Sequence, residues 1–214
     1  MTRNHPLRLA AQPLLLLALV VLSGCSVFQR PALDQAQYLL SVPPPVVVAG
    51  RTSACGTVEV SRVTAVAPFD GLGFVYAQAD GTWRTDNYAG WIASPSSMLT
   101  SAFISFLSDS GQCGFVTGQG ASASADSQVA LVLEKFCADY TDPSGARAIV
   151  QIRWYRMSDA ATGSALRGTG LVVGAAPVAQ ATPGSVADAL GAATAVAFGE
   201  ILAGMCGNQP IGVQ

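Results

Sequence analysis

Three stretches decide the fold: residues 128–136 (QVALVLEKF), 148–157 (AIVQIRWYRM) and 165–173 (ALRGTGLVV). Each is dense in branched and aromatic side chains, the residue types that suit a pleated, half-buried surface. Between them stand Asp142, Pro143, Ser144 and Gly145, then residues 159–163 ending in Gly163, which supply turn chemistry. Three strands joined by turns make a meander, and a meander is antiparallel.

Working outward, residues 57–66 carry Val58, Val60, Arg62 and Thr64 at period two and stop before Pro68, so they read as a further strand. Residues 73–77 and 82–88 are short aromatic runs around Ala79, Asp80 and Gly81, and an Asp-Gly pair between apolar runs predicts a hairpin with positive φ at both residues. Residues 37–42, with Tyr38, Leu40 and Val42 alternating, read as an opening strand that stops at Pro43, Pro44 and Pro45. From Gly118 to Ser127, Gly, Ala and Ser predict a loop or an interrupted strand end.

Two helices complete the set. Ser94 offers an N-cap oxygen and Pro95 suits the first helical position; Met98, Ala102 and Phe106 recur every four residues, with Leu99, Phe103 and Leu107 beside them. Asp109, Ser110 and Gly111 end this helix. After Pro183 and Gly184, Ser185 and Asp188 have capping-box spacing, and Leu190, Ala193, Ala197, Ile201 and Met205 form one stripe of a long helix. The predicted fold is α+β: a single-domain α/β sandwich with a mixed, mostly antiparallel sheet and two long helices on one face, the other face open to a partner.

The N-terminus has its own layout. Arg3 and Arg8 precede an apolar run from Pro13 to Leu22, and small residues follow, as in a secretory signal. A bilayer-spanning helix needs roughly 20 apolar residues, and this run is much shorter. Leu22, Ser23, Gly24 and Cys25 resemble the lipobox of bacterial lipoproteins. That resemblance implies that Cys25 is diacylated on sulfur, becomes the first residue of the mature chain and is acylated again on its new amino group. Several acyl chains hold a protein stably at a membrane where one holds it marginally. Residues 1–24 are thus the expected signal peptide, 25–36 a lipidated tether, 37–207 the domain and 208–214 a frayed tail. Ser26 follows the cysteine; by resemblance to enterobacterial lipoprotein sorting, an Asp there would favour inner-membrane retention, so the expected site is the outer membrane, facing the periplasm.

Composition excludes several functions. The 214 residues carry 11 Lys and Arg against 13 Asp and Glu, and Lys135 is the sole lysine. No positive footprint exists for nucleic acid, and so low a charge favours a surface partly covered by a partner. The single histidine, His5, leaves with the leader, so Ser/His/Asp and Cys/His nucleophiles and His-ligated zinc are excluded from the mature chain. Gly71 and Gly73 lack the Lys and Ser/Thr of a phosphate-binding loop. No catalytic residue, metal or cofactor is expected.

Cys55, Cys113, Cys137 and Cys206 remain beside Cys25, widely spaced and without a CxxC. In an oxidising compartment the even number favours two disulfides, with three pairings open. Cys113 with Cys137, flanking two strands, is slightly favoured, which leaves Cys55 with Cys206 to tie the start of the domain to its end.

Phe74, Val75 and Tyr76, then Tyr88, Trp91, Ser94, Pro95, Met98 and Leu99, resemble the central signature of the ABC-type transport auxiliary lipoproteins. The likeness extends to Tyr38 and Leu40, to Leu131 and Leu133 and to the alanine-rich helix from Val186. At Ala77 and Ile92 the chain departs from the family pattern. What the resemblance implies is a non-enzymatic role: a lipoprotein docking onto a periplasm-spanning assembly of mammalian-cell-entry (MCE) proteins and an ABC transporter, which moves phospholipid or other hydrophobic cargo between membranes. A homo-oligomer is compatible with that role, and a pilot lipoprotein for another outer-membrane complex is the alternative.

Five residues are candidates for partner or lipid contact. Tyr88 and Trp91 read first as packing at the helix entry, and Tyr76 could face either side of its strand. Arg153 and Arg156, beside Trp154 and Tyr155, read as a solvated face with cation–π contacts, or more sharply as a site for an anionic lipid head group.

Overall fold

The computed structural model describes residues 35–46, 55–120, 124–158 and 165–206. Cys25, the leader, most of the tether and the tail lie outside the described residues.

The spine of the sheet is β7 (Ser127–Asp139). On one side it pairs antiparallel with β8 (Arg147–Ser158), which pairs antiparallel with β9 (Leu166–Pro177), giving the expected meander with the longest ladders in the protein. Along its other side run β2 (Thr57–Val60), β3 (Thr64–Ala65) and β4 (Gly73–Ala77), end to end and all parallel to it. Farther out, β5 (Trp83–Trp91) pairs antiparallel with β4, β1 (Ala36–Tyr38) pairs parallel with β5, and β6 (Phe115–Gly118) pairs parallel with β2. The sheet is mixed, and its long ladders are antiparallel.

Both helices cover one face. α1 (Pro95–Asp109) starts where Ser94 Oγ accepts the Ser97 N–H at 3.3 Å, with Pro95 in the first turn. It buries Met98, Leu99, Phe103, Phe106 and Leu107. α2 (Pro183–Cys206) buries Leu190, Ala193, Ala197, Ile201 and Met205. Phe198 of α2 meets Phe103 and Phe106 of α1 at ring separations of 4.8 and 5.6 Å, so the helices share one core with the inner face of the sheet. α2 has the length and apolarity of a membrane span, but its stripe is used up inside this core.

Local details depart from expectation for identifiable reasons. The strand read at 57–66 breaks because the Val63 N–H turns away from β7 and donates to Thr100 Oγ1 of α1 at 3.0 Å. The opening strand is shorter than 37–42, because after Tyr38 the chain leaves β5 and its Ser41 carbonyl packs on Gly191 of α2. Thr182, not Ser185, caps α2: its carbonyl accepts the Val186 N–H and its hydroxyl the Ser185 N–H. In the β4–β5 hairpin only Gly81 has positive φ (+80°), while Gly81 N–H donates to Gln78 O and Gln78 N–H to Thr82 O. That is a three-residue loop with glycine at the left-handed position, in place of a turn with Asp80 and Gly81 both left-handed. β6 was not anticipated.

Candidate functional site

One group of side chains converges outside the core where β4, β5, the end of β7 and the start of α2 meet. Alternation along β4 sends Phe74 and Tyr76 to the helix-covered face. Phe74 reaches the core, and Tyr76, nearer the end of the strand, is half-buried. Its hydroxyl donates to Asp86 Oδ2 at 2.9 Å, and its ring meets Tyr140 edge-on at 6.1 Å. Asp86 Oδ1 accepts the Tyr88 and Ala89 N–H groups at 2.8 and 3.1 Å, an Asx-type bend that fixes the carboxylate. Tyr76, Asp86 and Tyr140, together with Gln78, Thr182 and Pro183, line an open groove of about 290 Å³.

Burial raises the Tyr76 hydroxyl pKa well above the usual tyrosine range, and the hydrogen bond and negative charge of Asp86 push the same way. Burial also raises Tyr140. The groove therefore presents neutral phenols and a carboxylate with three donors on it. Such an arrangement holds a shape and a hydrogen-bonding pattern, with the Tyr76 phenol kept protonated against the Asp86 carboxylate.

The contact candidates separate. Trp91 is core: 2% exposed, its ring 4.6 Å from Phe74 and 5.3 Å from Phe136. Tyr88, expected to pack at the helix entry, instead stands 62% exposed. The reason is register: Tyr38 of β1 pairs with Trp91, and Tyr88 lies before the paired residues Ala89–Trp91, where β5 bends at Asp86. One step beyond the Tyr38–Trp91 pair, Leu39 and Ile92 are 71% and 58% exposed, and the Ile92 N–H donates to Tyr38 O at 2.9 Å. This margin of the sheet thus carries exposed apolar side chains.

Neither arginine is an unengaged cation. Arg153, on the face away from the helices, donates to Glu134 at 2.6 Å through Nε and at 3.4 Å through Nη2. Hydrogen bonds from Arg153 and from Gln151 hold the Glu134 carboxyl below the usual range. Arg156 donates through Nε to Ser127 Oγ at 3.1 Å, through Nη2 to the Cys55 carbonyl at 3.3 Å and through Nη1 to the Met205 carbonyl. Its guanidinium is a structural clamp, in place of the solvated or lipid-facing group expected. Between Arg153 and Arg156, Trp154 is buried against α2, with its indole beside Gly204.

The cysteines correct one expected pairing. Cys55 is bonded to Cys206, while Cys113 and Cys137 are free thiols. They cannot pair because they belong to opposite ends of β7. Cys113 lies three residues before Val116, which pairs with Val58, the β2 residue that faces Ser127, whereas Cys137 pairs with Ile149 ten residues farther along β7. Ten residues of strand span about 33 Å. Cys113 lies instead next to the disulfide, the three sulfurs being within 4.8 Å of one another. With two of them joined, only one thiol is left to bind a metal.

Sequence reasoning missed Asp86, Tyr140 and Glu134. Asp86, placed two and three residues before the N–H groups it accepts, had a local Asx signal; Tyr140 and Glu134 acquire their roles from partners on other strands.

The chain resembles known proteins in fold and in family. It superposes on the crystal structure of a protein from Xanthomonas campestris with a TM-score of 0.62 at 18% identity, over 78% of this chain and 91% of that one. An uncharacterized protein gives 0.63 at 14% identity, over 79% and 97%. A hypothetical protein from Chlamydia trachomatis gives 0.52 at 10%, over 72% and 99%. At these identities the likeness is one of fold alone. No curated protein matches the chain. The family model described as the ABC-type transport auxiliary lipoprotein component matches residues 38–201.

Proposed function

Because the chain belongs to the ABC-type transport auxiliary lipoprotein family, we propose that it is the membrane-tethered, non-enzymatic accessory of an MCE-type ABC transport system. In this reading Cys25 carries the acyl chains, the outer membrane holds them, and the domain faces the periplasm. There it docks onto the MCE assembly that carries phospholipid or another hydrophobic molecule between the membranes.

The observation that carries the reading is the family match from Tyr38 to Ile201, starting 13 residues after the cysteine of the lipobox. A tether of that length keeps the domain at high local concentration beside the membrane where cargo is exchanged, which raises the avidity of weak docking. The docking surface includes the exposed apolar margin of Tyr88, Leu39 and Ile92. Exposed apolar side chains along one edge are the kind of surface a partner covers.

The test is affinity purification of tagged protein from native membranes in mild detergent. Recovery of an MCE-domain protein and an ABC ATPase is expected, as is loss of acyl labelling and of membrane association in Cys25→Ala. Purification that brings down neither component, with the lipoprotein intact, refutes the reading.

A further inference from the structure

Away from the groove and the apolar margin, one corner of the fold gathers three sulfurs. The Sγ atoms of Cys55, Cys113 and Cys206 all lie within 4.8 Å of one another, with Cys55 and Cys206 joined and Cys113 free. The backbone brings this about. The β2–β6 ladder pairs Thr57 with Phe115, and two hydrogen bonds continue it outward: Gly114 N–H to Gly56 O at 2.8 Å and Cys55 N–H to Gln112 O at 3.2 Å. Cys55 and Cys113 each stand two residues before that pair, on adjacent segments. Neighbouring strands lie about 4.8 Å apart, within the roughly 4.4–6.8 Å between Cα atoms that a disulfide accepts. The existing bond has a Cα separation of 5.1 Å. Cys55 therefore has two partners within reach.

We propose that Cys113 is the exchange partner of the Cys55–Cys206 disulfide, so that the bond can move to Cys55–Cys113 and release Cys206 at the end of α2. The Cys113 thiol gives its proton to water, and the thiolate attacks Cys55 Sγ. A Cys113–Cys55 bond forms as the Cys55–Cys206 bond breaks, its electron pair leaving on Cys206 Sγ, which takes a proton from water. One disulfide and one thiol are present before and after, so no oxidant or reductant is consumed. A link spanning 151 residues gives way to one between adjacent strands.

The corner is built to survive the move. Arg156 holds the Cys55 and Met205 carbonyls and the Ser127 hydroxyl, and Met205 is buried, so both chain segments stay in place without the sulfur link. Burial raises the Cys113 pKa and slows the attack, while the Arg156 charge opposes that rise. The exchange is accordingly slow and reversible. It controls whether the end of α2 is covalently tied to the start of the domain or offers a thiol.

The full-length lipoprotein, extracted from membranes in mild detergent, is incubated with a small alkylating reagent, digested without reduction and mapped by mass spectrometry. A fraction that grows with time, with alkylated Cys206 and a Cys55–Cys113 linkage, is expected, and Cys113→Ser should abolish Cys206 labelling. Labelling confined to Cys113 and Cys137, or Cys206 labelling that persists in Cys113→Ser, overturns the proposal. In Cys206→Ser, air oxidation should join Cys55 to Cys113, and finding both alkylated in the folded variant overturns it equally. Should that variant not fold, the wild-type time course decides alone.

Discussion

Gly174 of β9 lies so close to Ala193 of α2 that a Cβ added to the glycine would clash with the Ala193 carbonyl oxygen. The helix backbone rests directly on the strand backbone at this point, and nothing larger than hydrogen fits between them. The same packing recurs where Gly191 meets the Ser41 carbonyl. Glycine at 174 on β9 is therefore a condition for the approach of α2 to the sheet, and glycine at 191 for the approach of α2 to the segment after β1.

Gly174→Ala should consequently cost at least the 1–3 kcal/mol typical of overpacking, because backbone rather than a flexible side chain must give way. Gly199, in the same helix, has no atom within 4 Å of an added Cβ. There alanine lowers the entropy of the unfolded chain and removes a helix-interior glycine, so Gly199→Ala should stabilise by about 0.5–1 kcal/mol. Thermal or urea denaturation of the two variants should give shifts of opposite sign; equal shifts would show that α2 does not seat at Gly174.

Alkaline stability depends on Tyr76. Its folded-state pKa is raised above the unfolded value by burial and by Asp86, so folding favours the protonated phenol. The resulting stability is fully present below pH 10, the ordinary tyrosine value, and is lost as pH rises toward the folded pKa. Spectrophotometric titration should show a tyrosine ionising above the others, and Tyr76→Phe should remove both that step and part of the alkaline loss of stability. An unchanged titration in Tyr76→Phe would place the shifted phenol elsewhere.

Arg156 and Arg153 are three residues apart in β8 yet should respond very differently to truncation. Arg153 and Glu134 form a surface pair, and solvent screening leaves such pairs little net effect on stability. Arg156→Ala leaves two backbone carbonyls and a buried serine without their donor, each worth roughly 1 kcal/mol or more. The expected order of unfolding midpoints is Arg153→Ala well above Arg156→Ala. Arg156→Lys should rescue only partly, since one ammonium cannot reach three acceptors in a planar fork.

The meander and both helices were legible because their signals are local: strands of nine or more residues, turn residues between them, and a 3.6-residue stripe behind Ser94 and Pro95. The row of β2, β3 and β4 along β7 was not, since parallel pairing between distant segments leaves no mark in either. β6 is four residues long, one of them glycine, and exists because β2 offers it an edge. For the same reason Arg156 read as a surface cation: its partners are the hydroxyl of Ser127 and two carbonyls, which no side-chain pattern announces. Cys55 and Cys206 are separated by 151 residues, and choosing among the three pairings required positions in space.

Trp91 and Tyr88, three residues apart in β5, differ in burial, and the proposed docking role falls on the exposed one. Trp91→Ala empties a site bounded by Phe74 and Phe136 and should cost about 3–5 kcal/mol. Tyr88→Ala and Ile92→Asp remove exposed apolar surface and should leave the melting temperature within about a degree or two, as surface changes usually stay within ±0.5 kcal/mol. If this margin is where the transport assembly docks, the pair of surface substitutions lowers recovery of MCE protein from native membranes at unchanged lipoprotein level. The Trp91 variant lowers the lipoprotein itself. Undiminished recovery with Tyr88→Ala and Ile92→Asp combined would move the docking surface elsewhere, with the outward side of β8 and β9, where Leu171 and Val173 stand half-exposed, as the next surface to substitute.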